Sequence, residues 1–150
     1  MSGERIAAES TGAVALADIV AHGVRGAPDV GAFASRGAKS VAVMVWHYHD
    51  DDVRGPAAAV SLDVRGLPAS VRAATLTHYR IDALHSNAFD AWRRMGSPVA
   101  PNREQYAALE AASQLATLGA PQPVTVSNGV ASLEFDLPRQ GVSLVVLDWD

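Results

Sequence analysis

The sequence predicts a mainly β fold, an antiparallel β-sandwich with a short helical insertion at about residues 87–118. Three observations carry that expectation. About seven short apolar runs, alternating or continuous, are separated by Gly, Pro and Asn turns. Helical patterning is concentrated in one stretch, whereas a parallel α/β sheet needs a helix between most strands. The pair Asn128-Gly129 sits between two extended runs and suits a two-residue hairpin with positive φ at both positions.

The elements follow in order. Residues 4–16 mix small and apolar residues around Gly12 and read as a strand followed by a turn, and Ala17 to Val24 as a helical turn started by Asp18. Gly23, Gly26, Pro28 and Gly31 then favour irregular backbone. Val30 to Ser35 is a short strand, with Arg36, Gly37 and Ala38 as a tight turn out of it. Lys39 to His49 is the strongest strand: Val41, Val43 and Val45 point to one side, Ala42, Met44 and Trp46 to the other, so it belongs in the middle of a sheet. Val60, Leu62 and Val64 alternate with Ser61, Asp63 and Arg65, the pattern of a strand with one wet face, nearer an edge. Gly66 and Pro68 turn the chain into the β-rich Val71 to Tyr79, and the short connection predicts antiparallel pairing of the two strands.

Asn87 or Ser86 can cap a short helix with Phe89, Trp92 and Met95 on one face, ended by Gly96 and Pro98. Asn102 with Gln105 resembles a capping box, opening a helix to about Leu118 that would cover part of a sheet through Tyr106, Leu109 and Ala112. Ala131, Leu133, Phe135 and Leu137 face inward, opposite Ser132, Glu134 and Asp136, and Val142 to Trp149 is a last strand apolar on both faces.

At 150 residues, 49% apolar, with formal charge −4, the chain fits one globular domain. Twelve Lys plus Arg against 16 Asp plus Glu, with no basic cluster beyond Arg93 and Arg94, leave no electrostatic footprint for nucleic acid. The first twelve residues hold no apolar signal core and no segment has the length of a membrane span, so the chain as given is expected in the cytoplasm and off the membrane.

Candidate chemistry gathers in two places. His78, Arg80, Asp82, His85, Ser86 and Asn87 fall within ten positions, enough for a buried polar network or for a substrate-binding rim around a sugar-sized ligand. At the end of the strongest strand, His47 and His49 share a face and Asp50 follows, which makes a metal site a weaker alternative: the aspartates run on into a loop, and no third histidine stands at partner spacing.

The segments VWHYHDDDVRGPAA (45–58), HYRIDALHSNAFDAWRRMGSP (78–98) and LPRQGVSLVVLDW (137–149) resemble, in order and spacing, landmarks of the region after the catalytic barrel in bacterial β-xylosidases of glycoside hydrolase family 39. The resemblance covers nearly the whole chain. It implies a non-catalytic C-terminal β-sandwich, a partner in the parent's catalytic barrel, a link to xylo-oligosaccharides, and no cofactor or metal. Members of that family are retaining enzymes, which need two carboxylates about 5 Å apart. The family's acid/base glutamate sits in an Asn-Glu-Pro motif, absent from this sequence, and Glu4, Glu9, Glu104, Glu110 and Glu134 all read as surface residues. No catalytic residue is therefore expected here, and the chain alone should not hydrolyse xylosides. Two other readings stay open: a free-standing carbohydrate-binding module using Tyr48, Tyr79 or Trp92, and the metal-binding domain. An exposed apolar surface, with homo-oligomerisation through it, is expected if the barrel is missing.

Overall fold

A computed structural model describes residues 3–150. The elements are β1 (Glu4–Ile6), α1 (Leu16–His22), β2 (Asp29–Arg36), β3 (Ser40–Tyr48), β4 (Ala58–Arg65), β5 (Ala73–Ile81), α2 (Ala88–Arg94), α3 (Arg103–Ser113), β6 (Ala116–Thr117), β7 (Gln122–Thr125), β8 (Val130–Leu137) and β9 (Gly141–Asp148). The strand pairs among the described residues are antiparallel. The large sheet runs β1-β2-β3-β9-β5-β6, with β7 also on β5, and a second, two-stranded sheet holds β4 and β8.

Alternation decides what each strand buries. Val41, Val43 and Val45 of β3, Val145 and Leu147 of β9 and Leu76 of β5 meet Val64 of β4 and Ala131 and Leu137 of β8 in one core between the sheets. Each such aliphatic side chain removed from water contributes roughly 1.5–3 kcal/mol before chain entropy is counted. The opposite face of the large sheet is apolar as well. Register aligns Phe33, Met44, Leu144 and Tyr79 across four strands, all half-buried. Beside them the Trp46 ring lies over Gly31, where even a methyl group would sit 2.3 Å from Cζ2, and its indole N–H donates to buried Asp29 at 2.6 Å.

Five expectations need correction. The strands before and after residues 66–72 do not pair: β4 joins β8 and β5 joins β9. The connection instead crosses between sheets, burying Leu67 and Val71 at the corner. Asn128 and Gly129 do take positive φ, at 53° and 75°, in a tight turn closed by a Ser127–Val130 bridge. Yet β7 and β8 on either side of that turn leave for different sheets. The two crossovers meet, Leu67 donating its N–H to the Gly129 carbonyl at 3.0 Å.

The long helix ends at Ser113 rather than Leu118, because the open edge of β5 captures the chain: Ala116 and Thr117 pair with Arg80 and Tyr79, and Leu118 N–H reaches the His78 carbonyl. It covers no sheet; α3 packs on α2, buries no residue and leaves Tyr106 66% exposed. Helix α1 starts at Leu16 from an Ala15 cap without a side-chain bond, and Asp18 lies in its first turn instead of initiating it.

Candidate functional site

Alternation along β5 turns His78 and Arg80 inward, under β8, and the chain then bends at Asp82. Ser143, wholly buried on neighbouring β9, is the hub. Its hydroxyl accepts from Arg80 Nε at 3.0 Å and lies 2.9 Å from His78 Nε2. With the guanidinium donating to it, the hydroxyl proton is free to go to the imidazole. Arg80 Nη2 also donates to the Asp136 carbonyl at 2.9 Å, and Nη1 stands 3.5 Å from Asp82 Oδ2. The His78 ring packs edge-on against Phe135 at 4.8 Å.

Burial, reinforced by the Arg80 charge, holds the His78 pKa down at about 4, so the ring is neutral at pH 7. Asp82 is pulled both ways. Burial pushes its carboxyl up, but the N–H groups of Leu84 and His85 and the His85 imidazole, all on Oδ1, outweigh that and leave it below the ordinary value.

The remaining polar residues of the corner hold backbone. Ser86, at φ 53°, donates to the Arg80 carbonyl and accepts from Ala116 N–H, pinning β6 to β5. Asn87 caps α2 by accepting from Asp90 N–H at 3.0 Å. The structure thus links Arg80, Asp82, His85 and Ser86 directly and His78 to Arg80 through the Ser143 hydroxyl, with Asn87 adjoining. Arg80 and Asp82 are buried, whereas His78, His85, Ser86 and Asn87 are each partly exposed, the last three together at the bend.

His47 and His49 do not converge on a common point. His47 Nδ1 donates to the Leu137 carbonyl at 2.9 Å, and its Nε2 is enclosed without a partner among the described residues. His49 lies between the Arg25 carbonyl and Asp51, with Asp51 N–H 3.1 Å from Nδ1. Asp50 takes the Val24 N–H and faces Arg25, and chiefly that backbone bond holds its carboxyl below the usual range. Among the described residues no group of three His, Cys, Asp or Glu is arranged for a metal ion.

The five glutamates are all exposed. The three carboxyls displaced from their ordinary proton affinity, Asp50, Asp63 and Asp82, all move downward. A glycosidic general acid requires the opposite displacement. Sequence reasoning missed Ser143, whose signal is a lone hydroxyl in the run Val142 to Leu147, and Asp29, which the flanking turn residues disguised.

A family model described as Glycosyl hydrolases family 39 matches residues 1–129. The chain belongs to that family. No curated protein matches it. Solved structures similar to this family 39 chain include the bacterial orthologue of human α-L-iduronidase, with 24% identity and TM-score 0.67 over 81% of this chain and 22% of that one. The family 39 enzyme from Xanthomonas axonopodis pv. citri shares 19% identity, TM-score 0.65, over 85% and 28% of the two chains. A monomeric β-xylosidase from Caulobacter crescentus CB15 shares 23%, TM-score 0.60, over 83% and 28%. These likenesses concern the fold, and this family 39 chain spans about a quarter of the length of each structure.

Proposed function

We propose that residues 1–150 form an accessory, non-catalytic domain of a xylan-degrading β-xylosidase, inactive alone and built to pack against a catalytic barrel. One observation carries this reading: the chain belongs to a family of hydrolases, yet its glutamates are all exposed and each displaced aspartate moves toward the ionised form. Asp50, Asp63 and Asp82 keep that form through hydrogen bonds inside the domain. The apolar outer face of the large sheet, with Phe33, Met44, Leu144 and Tyr79 in one row, supplies a surface of the kind a partner domain covers. Left uncovered, the same face favours self-association. In this reading the solvent-reachable edge at His85, Ser86 and Asn87 lies toward the barrel, while His78, Arg80 and Asp82 hold that edge in shape.

The test is an assay of the purified chain on an aryl xyloside. No xylose release is expected. Release that disappears on replacing one of the chain's own carboxylates would overturn the proposal. A second reading, a free-standing sugar-binding module, draws on one observation: Phe89, 62% exposed, stacks on Trp92 with ring centroids 5.7 Å apart and forms an apolar platform. Titration with xylobiose separates the two, because saturable binding lost in Phe89→Ala favours the module.

A further inference from the structure

The turn at Asn128 and Gly129 reverses the chain and also joins two long connections. Ser127 and Val130 exchange both backbone bonds across it, at 2.9 and 3.0 Å, and the Gly129 carbonyl accepts the Leu67 N–H from the other crossover. The two segments touch there: a Cβ on Gly129 would stand 2.9 Å from the Leu67 carbonyl oxygen. Leu67, Val71 and Val126 around the joint are buried.

An asparagine amide can be lost to the backbone nitrogen that follows it, and the three asparagines of this chain stand differently toward that reaction. Asn87 and Asn102 are helix caps. Asn87 Oδ1 accepts from Asp90 N–H while its Nδ2 donates to Asp90 Oδ2, and Asn102 Oδ1 accepts from Gln105 N–H. The residues after them, Ala88 and Arg103, carry side chains beside the nitrogen that would attack. Asn128 is exposed, and among the described residues no hydrogen bond restrains its side chain or the Gly129 N–H. Gly129 has no Cβ to shield that nitrogen.

We propose that Asn128 is a site of spontaneous covalent modification, losing its amide to Gly129 in the folded chain. The Gly129 nitrogen gives its proton to solvent base and bonds to Asn128 Cγ. The bond from Cγ to Nδ2 then breaks, the amide nitrogen takes up a proton and leaves as ammonia, and a cyclic imide remains. Water opens that ring at either carbonyl. Addition at Cγ restores the main chain and yields aspartate, whereas addition at the backbone carbonyl yields isoaspartate, with the main chain now running through Cγ. The two products differ in what they do to the joint. Asp-Gly suits the same turn, because aspartate tolerates the left-handed conformation. Isoaspartate inserts a methylene into the backbone between residues fixed at φ 53° and 75°. The Ser127–Val130 exchange then loses its register, and the Gly129 carbonyl is drawn off the Leu67 N–H.

Ageing of the purified 150-residue chain in neutral and in mildly alkaline buffer, followed by peptide mapping, tests this. The peptide that holds Asn128 should show the mass change of an NH2 exchanged for OH, in two chromatographically separate forms, and several-fold faster in the alkaline buffer. Asn87 and Asn102 should keep their amides. Asn128→Gly, which suits the same backbone, should abolish the change, and thermal melts establish that the variants fold. Hydrogen exchange reads the consequence: the Leu67 amide should exchange about tenfold or more faster in the isoaspartate fraction than in fresh chain, and Asn128→Asp should leave it as slow as before. An Asn128 amide that persists in the folded chain, whether or not a urea-unfolded sample loses it, would overturn the proposal. So would loss at Asn87 or Asn102 at the same rate, a mass change that survives Asn128→Gly, or a Leu67 amide that stays protected in the isoaspartate fraction or is freed equally in Asn128→Asp.

Discussion

Acid should weaken this domain through His78, and the size of the effect can be worked out. The unfolded imidazole titrates near 6.5 and the folded one at about 4. The unfolded chain therefore binds the extra proton first as pH falls. The stability contributed by the neutral ring is complete above about pH 6.5 and is lost as pH falls toward 4. A gap of roughly 2.5 pH units corresponds to about 3 kcal/mol for a fully sheltered group. Because the ring is only half-buried, solvent screening reduces this to about 1–2 kcal/mol. His78→Phe keeps an aromatic ring beside Phe135 and removes the titration. Urea unfolding at pH 7.5, 5.5 and 4, followed by tryptophan fluorescence, should show the stability advantage of the native chain over this variant shrinking by about 1–2 kcal/mol across the range. A difference that stays constant within about 0.5 kcal/mol would refute the reasoning.

Arg80→Met removes the guanidinium that serves Ser143, Asp136 and Asp82 together. Chemical denaturation should register a loss of about 3–5 kcal/mol, since breaking a buried pair strands its partner. In whatever fraction stays folded, NMR titration should find the His78 pKa rising only part of the way toward 6.5, because burial, the larger cause, remains and only the repelling charge is gone. Gly31→Ala forces the Trp46 ring off β2 and separates its indole from Asp29. A red-shifted fluorescence maximum and a stability loss of about 1–3 kcal/mol are expected. Asn87→Ala deletes the cap of α2. It should cost about 1 kcal/mol in thermal unfolding and leave the β-sheet circular dichroism unchanged.

Much of the fold was legible because side-chain direction follows from backbone period. Val41, Val43 and Val45 against Met44 and Trp46 placed β3 inside a sheet, and the spacing of Ala131 to Leu137 identified the buried side of β8 correctly. The Asn102–Gln105 box was equally plain, since both of its bonds lie within four residues. Partner choice was not legible. The pattern of β4 specifies which residues face inward, and it is silent on whether β5 or β8 lies beside it. The end of α3 was hidden for the same reason, because the strand edge that captures Ala116 belongs to residues nearly 40 positions earlier. In the polar corner, sequence proximity marked the participants from His78 to Asn87. Ser143, which links two of them, lies more than 60 positions away and stands out only by being hydroxylic among valines and leucines.

The position of β9 has a consequence for how the protein forms. Ser40 pairs with Asp148, and among the described residues β9 supplies the only bridge between β3 and β5. During synthesis both of those strands emerge long before the segment that joins them, and each waits with an unpaired apolar edge. Closure of so distant a contact is slow, and the waiting edges invite association with other chains. Loss of residues 141–150 should thus act less like trimming a terminus than like removing a keystone, turning a folded product into aggregate.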